Sequence, residues 1–278
     1  MNFSIATRDE LWIHGRLVER RLAHGQAVEH ERGIDATDAY DAALVAMCDA
    51  AMHELHAFVV ADARTHLVAE ANSVEGVIRT IVVTLGDRSV VTTPEHFTND
   101  VGLLRNASTG DAVPRHVPFV WKHGSGAVLL HEAIGHPREH GQSSVALPPW
   151  LSVSVPLKPR RASFKDIPLQ RMTDVVAHQR EAPFVLPPER IEIVLVDGGS
   201  YDPLTELVTL RIAAANLIEG ERVSALAPFT IQETREVMLH SIAGATGETQ
   251  RYPGVICSRE GQELVVGSYA PVLLTELR

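Results

Sequence analysis

The sequence has little of what would mark a secreted, membrane-spanning or nucleic-acid-binding protein. It holds two cysteines, Cys48 and Cys257, in 278 residues, too few and too far apart for a disulfide framework. The net charge is −10 and no Lys/Arg run stands out, so a nucleic-acid partner is disfavoured because its phosphates would be repelled. No stretch approaches the roughly 20 apolar residues that span a bilayer, and the first 21 residues lack the apolar segment of a signal peptide. These absences predict a soluble cytoplasmic protein with no membrane partner.

What is present is enough apolar sequence, 45% of residues, for one large domain or two small ones. Residues 37–56, TDAYDAALVAMCDAAMHELH, carry apolar side chains at helical spacing and predict an amphipathic helix with Cys48 in its packed face. The apolar, β-branched runs AFVVA, VIRTIVVTL and RSVVTT that follow predict strands. Residues 1–115 are therefore interpreted as an N-terminal α/β portion.

The second half of the sequence is dominated by strand-like patterns. After a proline-rich passage, ALPPWLSVSVPLKPRR, that cannot be regular helix, the runs RIEIVLV, LVTLRIAAANLI, RVSALAPF and VICSREGQELVVG predict strands, with one short helix near residues 231–243. The fold class is predicted to be α+β. Residues 116–278 are expected to form a β-rich C-terminal domain that contains the helix described next.

The stretch LLHEAIGHPREHG, residues 129–141, carries the most chemistry. His131 and His136 are five residues apart, which places them roughly 140° apart on an ideal α-helix, against roughly 40° for a four-residue spacing. They converge only if the turn widens towards a π-helix, or if the helix ends at His136. Gly135 relaxes the backbone there, and Pro137 lacks the N–H that would close the next turn. Glu132 could then act as general base for a water at the metal.

Other interpretations of this stretch stay open from the residues alone. Fourteen histidines occur in the chain, so a His-Glu pair with a further histidine can arise by chance, as it does at His53, Glu54 and His56. His136 and His140 have the better four-residue spacing, although Pro137 disrupts the helix that they would need. His140 is therefore an alternative ligand.

Two separated segments resemble one protein family. HGSGAVLLHEAIGHPRE, residues 123–139, resembles the segment with the HExxxH motif in the TldD branch of the TldD/TldE (PmbA) metallopeptidases, and PGVICSREGQELVVGSYAPVLL, residues 253–274, resembles the family's closing segment. In that closing segment a cysteine, here Cys257, supplies the third metal ligand. The resemblance implies one zinc ion per chain held by His131, His136 and Cys257, with Glu132 as catalytic base. Two imidazoles and one thiolate leave an open fourth position, as a catalytic zinc requires.

The resemblance also implies an activity and a partner. The expected enzyme is a metal-dependent amide hydrolase that acts on a small N-acetyl amino-acid conjugate, such as one of natural-product biosynthesis. The alternative is an enzyme that cleaves short unstructured peptides. A heterodimer with a TldE-like non-catalytic chain is expected. Alternatives are that this chain is itself the non-catalytic subunit, or that Cys257 is the nucleophile of a thiol hydrolase. A DNA-associated role, suggested by the family's link to gyrase, is disfavoured by the charge.

The sequence departs from the family pattern in several places. Glu139 is followed by His140 and Gly141 where the family has Gly-Asp, and Ser258 and Arg259 stand where it often has Gly and Lys. Glu139 keeps a supporting role near the ligands as an expectation. The N-terminal part and the segment over residues 141–188 are shorter than in full-length members, which predicts fewer substrate subsites.

Two polar stretches are expected to be structural. In the run VLVDGGSYDPLTE, residues 194–206, Asp197, Gly198 and Gly199 follow a strand and are interpreted as a β-turn. Arg160, Arg161 and Lys165 flank prolines and are expected to lie in a solvated loop.

Overall fold

A computed structural model describes residues 3–13, 16–24, 27–32, 68–70, 73–85, 88–92, 97–114, 116–142, 145–160, 166–180, 184–252 and 255–277. The helix predicted over residues 37–56, with Cys48, lies outside the described residues. The same holds for the AFVVA run, for Arg161 and for Lys165.

An antiparallel sheet comes first in the chain. Its strands are β1 (Phe3–Ile13), β2 (Arg16–His24), β3 (Ala27–Arg32), β4 (Val68–Glu70), β5 (Ser73–Leu85) and β6 (Arg88–Thr92). Their order is β3-β2-β1-β5-β4, with β6 paired to β5. The runs VIRTIVVTL and RSVVT lie in β5 and β6. The sequence analysis did not predict β1, β2 or β3, whose short apolar runs are broken by charged residues.

The rest of the chain builds a second, ten-stranded sheet with helices on it. The elements in chain order are α1 (Phe97–Ala107), β7 (Phe119–Trp121), α2 (Gly126–Leu130), a π-helical turn (His131–Gly135), α3 (His136–Glu139), β8 (Leu151–Ser154), β9 (Leu157–Arg160), β10 (Leu169–Met172), β11 (Asp174–Gln179), β12 (Glu189–Asp202), β13 (Leu207–Glu219), β14 (Arg222–Leu226), β15 (Phe229–Thr234), α4 (Arg235–His240), β16 (Ile242–Arg251), β17 (Val255–Arg259) and β18 (Gln262–Thr275). The sheet runs β14-β13-β12-β7-β18-β11-β8, with β15 on β13 and both β16 and β17 on β18, while β9 and β10 form a separate pair. The described protein is thus strand-rich and mixed α+β, as predicted.

Two details of the predicted C-terminal half are wrong. The short helix begins at Arg235 rather than near residue 231, because residues 229–234 pair with β13 as β15. Asp197, Gly198 and Gly199 do not form the predicted β-turn; they lie inside β12, where the register with β13 shifts between Val196 and Gly199. Gly198 has φ +84° there, a conformation that glycine adopts without strain, so the segment is a β-bulge.

The main core lies between the large sheet and the continuous run of α2, the π turn and α3, which we call the motif helix. All five residues of α2 are buried, as expected for a helix that is apolar all round. Gly126 allows this helix to approach the sheet closely, since a Cβ there would lie 2.8 Å from Leu273 Cδ1 and 3.3 Å from Trp121 Cβ. The position of the two histidines is therefore fixed by packing against β7 and β18.

A smaller apolar cluster lies between elements that precede the motif helix in the chain and elements that follow it. Side chains of β6 and α1 pack on β12 and β13, through Val90, Leu104, Ala107, Val194, Leu195, Ala213 and Ala214. The domain boundary between residues 115 and 116 stays a prediction. Within the described ranges, no helix is both long and apolar enough to cross a membrane.

We expect Thr275→Val to lower the free energy of unfolding by about 1–3 kcal/mol, because it leaves the buried indole N–H of Trp121 without its acceptor. In the folded protein that N–H donates to Thr275 Oγ1 at 3.0 Å, and both side chains are fully buried between β7 and β18. The exposed Thr230 in β15 supplies the control, since Thr230→Val should change stability by less than about 0.5 kcal/mol. Urea unfolding of both variants measures the difference, and equal losses would contradict this role of the hydrogen bond.

Candidate metal centre

The turn between His131 and His136 is widened. Residues His131–Gly135 are π-helical, and the backbone N–H of His136 donates to the His131 carbonyl, five residues back. This turn places the two imidazole rings 5.0 Å apart between centroids and nearly perpendicular, at 79°. The five-residue spacing therefore brings both histidines to one face of the motif helix.

Gly135 and Pro137 explain why the turn forms here. A Cβ at Gly135 would lie 2.5 Å from the sulfur of Met172, a fully buried residue of β10, so any larger residue at this position requires the Met172 side chain or the turn to move. Pro137 lies in the first turn of α3. It has no N–H to donate to the carbonyl four residues earlier, and this missing α-helical hydrogen bond favours the wider turn before it.

Cys257 reaches the histidines from a different part of the fold. It lies in β17, which forms a hairpin with β18 and pairs Cys257 with Leu264. Its Sγ is 3.6 Å from His136 Nε2. The donor atoms of His131, His136 and Cys257 all lie within 4.8 Å of one another. The structure thus brings together the three residues that were expected to bind a metal.

The environment of His131 fits a metal ligand. The side chain is fully buried, and neither ring nitrogen has a hydrogen-bond partner among the described residues. Burial, reinforced by the positive charges of His136 and Arg171, holds the pKa of His131 well below its usual range. A buried imidazole without a partner is unfavourable in an apolar core, whereas a neutral imidazole is the form that binds a metal. The three residues could therefore hold a metal ion.

Glu132 lies beside these donors and is held by the bulge of β12. Its Oε2 is 3.5 Å from His136 Nε2. A Cβ at Gly199 would lie 2.6 Å from Glu132 Cγ and 2.8 Å from the Thr209 carbonyl, so only glycine leaves room for the carboxylate. Burial raises the pKa of Glu132 to about 7, although the positive charges of His136 and Arg211 oppose the rise.

Glu139 and Arg171 complete the centre from behind the ligands. Glu139 Oε2 is 3.3 Å from His136 Nδ1, and Glu139 Oε1 accepts the Met172 N–H at 2.7 Å. Burial alone would raise the pKa of Glu139, but these bonds and the nearby cations lower it. Burial also acts against protonation of His136, yet hydrogen bonds with Cys257 and Glu139 raise its pKa to about 10. The supporting role expected for Glu139 matches these contacts.

Arg171 was missed by the sequence analysis. Its guanidinium, fully buried, donates to Cys257 Sγ at 3.1 Å and to the Cys257 carbonyl at 2.8 Å. The sequence did contain a local signal: in LQRM, Arg171 is two residues after Leu169 and so lies on the same face of the strand as an apolar side chain. That position is unusual for a solvated arginine.

Other candidate residues lie outside this group of donors. His140 is exposed, with its ring 6.4 Å from that of Tyr201. The expectation that Arg160 lies in a solvated loop is wrong. Arg160 is buried at the end of β9, where its guanidinium donates to the Met172 carbonyl at 2.6 Å.

Comparisons with known proteins give only remote likenesses. No protein-family model matches the chain, and no curated protein matches it. Among solved structures, TldE from Thermococcus kodakarensis is similar over 93% of this chain, with 10% identity and a TM-score of 0.48. A proposed modulator of DNA gyrase from Bacteroides thetaiotaomicron is similar over 99% of this chain and 93% of its own, with 11% identity and a TM-score of 0.38. This chain spans 65% of the length of the TldE chain. Likenesses this remote carry no argument about activity, which has to come from the residues of the centre.

We expect Gly135→Ala to destabilise the fold by about 1–3 kcal/mol, because the added methyl overlaps the buried Met172 side chain. The same variant should weaken metal binding to the extent that the π turn, rather than the end of the Met172 side chain, moves to make room. Gly102→Ala in α1 is the matched control: a Cβ there meets nothing within 4 Å, so stability should rise by about 0.4–1 kcal/mol. Thermal unfolding and metal titration of both variants test this, and a Gly135→Ala protein as stable as the wild type would contradict it.

Proposed function

We propose that this chain is a metal-dependent amide hydrolase of the TldD type, with one zinc ion bound by His131, His136 and Cys257 and with Glu132 as catalytic base. The observation that carries the proposal is the convergence of three donor atoms from two distant segments beside one buried carboxylate. Two imidazoles and a thiolate are ligands that zinc prefers, and they leave one position open. His136 Nε2 and Cys257 Sγ are 3.6 Å apart, and all three donor atoms lie within 4.8 Å of one another, so these residues would hold the ion.

The chemistry follows from the positions of the side chains. A bound zinc ion would polarise an amide carbonyl and lower the pKa of a water molecule. Glu132 would take a proton from that water as its oxygen attacks the carbonyl carbon, and would deliver the proton to the amine nitrogen as the C–N bond breaks. The Glu132 carboxylate suits this role because it lies within reach of the donor atoms and is shielded from solvent.

The centre favours a ligand role for Cys257 over a nucleophilic one. Its side chain is buried, with 3% of its surface exposed, and its sulfur faces both a histidine and a guanidinium. A nucleophile has to reach the substrate carbonyl, whereas a ligand has only to reach the other donors. A thiol hydrolase would also leave the unpartnered His131 and the adjacent Glu132 without a role.

For the substrate we propose a small N-acetyl amino-acid conjugate, with short unstructured peptides as the second candidate. A cavity of about 460 Å³, within the size range of small-molecule sites, lies beside the motif helix at Ala133 and Ile134. Its lining includes none of the three donors and not Glu132, so it could hold the part of a substrate that lies away from the scissile bond. Arg138 and Arg235 also line it, and a guanidinium is suited to the carboxylate of an amino-acid conjugate. The short segment after the motif helix agrees with a compact substrate.

We further propose that the chain works with a TldE-like, metal-free partner, as the sequence resemblance implies, and that it does so in the cytoplasm. The alternative that this chain is itself the non-catalytic subunit is disfavoured by the convergence of the metal donors, since a non-catalytic chain does not need them.

We expect the purified protein to bind about one zinc ion per chain, and His131→Ala, His136→Ala and Cys257→Ala each to weaken zinc affinity by at least about 10–100-fold. His140→Ala should retain full zinc content, because the exposed His140 lies outside the group of donors. Elemental analysis after dialysis measures the content. Full retention by Cys257→Ala would remove Cys257 from the site.

We expect Glu132→Gln to lower kcat by about 10²–10⁴-fold while zinc content and fold are kept, because the amide cannot accept the proton and no ligand is lost. Turnover of an N-acetyl amino acid, with zinc content and circular dichroism of the same sample, checks this. Wild-type turnover in Glu132→Gln would rule out the mechanism.

We expect N-acetyl amino acids to be hydrolysed with a higher kcat/KM than unstructured peptides of about ten residues, because a compact cavity offers few subsites. Mass spectrometry of both reactions, with and without a co-expressed TldE-like chain, decides between the candidates. Efficient cleavage inside the peptides without deacetylation would favour the peptidase.

A further inference from the structure

Arg171 is the only described arginine whose side chain is completely buried and also touches a residue of the metal centre. Its guanidinium makes four contacts: Nη2 donates to Cys257 Sγ at 3.1 Å and to the Cys257 carbonyl at 2.8 Å, Nη1 to the Gln262 carbonyl at 3.1 Å, and Nε to Glu139 Oε1 at 3.3 Å. One side chain of β10 thus reaches both strands of the β17–β18 hairpin that carries Cys257.

Glu139 extends this arrangement to the motif helix. One oxygen of its carboxylate faces Arg171 and the Met172 N–H, while the other faces His136 Nδ1 at 3.3 Å. With Nδ1 facing this carboxylate, His136 presents Nε2 to Cys257 Sγ, because the group beside one ring nitrogen determines which nitrogen can bind a metal. Two ligands from segments more than 100 residues apart therefore share one ion pair.

The contact with sulfur has its own chemical effect. An N–H group that donates to a thiolate holds the sulfur in one rotamer and withdraws negative charge from it. A metal bound by that sulfur receives less charge and stays a stronger Lewis acid. A guanidinium can donate to the sulfur and to the carbonyl of the same residue at once, because its donors form a rigid planar fork. An ammonium lacks this fixed geometry.

We infer that Arg171 is a positioning residue of the metal centre: it orients and partly neutralises the Cys257 thiolate and, through Glu139, fixes the His136 imidazole against it. This inference rests on the proposed metal site and goes beyond it, because it assigns a role to a residue that is not a ligand.

The test uses Co²⁺ as the probe with the full chain, since a thiolate bound to Co²⁺ gives a sulfur-to-metal charge-transfer band. Arg171→Lys keeps the buried cation but not the fork. We expect it to weaken Co²⁺ affinity by about 10–100-fold and to move the charge-transfer band to lower energy, because the sulfur keeps more of its charge. Arg160→Lys is the matched control, because it alters another buried arginine, in the paired strand β9, that donates to the Met172 carbonyl. Its Co²⁺ affinity should stay within about twofold of the wild type, and its charge-transfer band should not move.

A second variant tests the link through Glu139. Glu139→Gln should weaken Co²⁺ affinity by about 10–100-fold with little movement of the band, because the thiolate keeps its donor from Arg171. If Arg171→Lys does not fold, Glu139→Gln decides the matter: unchanged affinity overturns the inference.

The outcomes separate this inference from the proposed activity. An Arg171→Lys protein with wild-type affinity and band overturns the positioning role, even if the enzyme hydrolyses amides. A weakened Co²⁺ affinity with an unmoved band also overturns the positioning role, since that pattern shows only that Arg171 stabilises the contact between β10 and the β17–β18 hairpin. A wild-type protein that binds Co²⁺ with the band but hydrolyses no amide refutes the proposed function and leaves the inference standing. A wild-type protein without the band overturns the inference with the site itself.

Discussion

The π-helical turn from His131 to Gly135 is the constraint on which the centre depends. An α-helical turn would direct the two imidazoles roughly 140° apart around the helix, so that they could not converge on one ion. The extra residue in the turn is accommodated by Gly135 against Met172 and by the change of register at Pro137. A wide turn is less stable than an α-turn and persists where surrounding packing determines it. Here that packing comes from the fully buried α2 on one side and from β10 on the other.

The long strand β18 contacts both the strand that precedes the motif helix and the strand that carries the third donor, Cys257. Near its C-terminal end β18 pairs with β7, immediately before the motif helix, and near its N-terminal end it pairs with β17, which carries Cys257. The two histidines and the cysteine are therefore placed by one continuous strand, although they are 121 residues apart at His136 and Cys257. The buried hydrogen bond from Trp121 to Thr275 and the close approach of Gly126 to Leu273 hold the motif helix on the same strand.

The sequence was informative where local spacing determines chemistry. The five-residue interval between His131 and His136, with Gly135 and Pro137, predicted either a wide turn or a helix end at His136, and the observed turn is π-helical. The β-rich second half also followed from local patterns. Arg171 and the bulge at Gly199 were not predicted, because their roles depend on partners far away in sequence: Cys257 is 86 residues from Arg171, and Glu132 is 67 residues from Gly199. The run DGG by itself has the composition of a turn, and only the pairing of β12 with β13 shows that it is a bulge.

The buried charges of Glu139 and Arg171 need a reason other than stability. Removing a carboxylate and a guanidinium from water costs several kcal/mol per ion, and an apolar pair of similar volume is often as stable or more stable. The cost is limited here because the Arg171 donors meet two carbonyls, a carboxylate and a sulfur. Yet leucine or methionine at both positions would fill the same space in the core that already includes Met172 and Val175. What apolar side chains cannot do is orient an imidazole through its Nδ1 and a thiolate through its lone pairs. The geometry of the donors, rather than the stability of the fold, is therefore what the ion pair contributes.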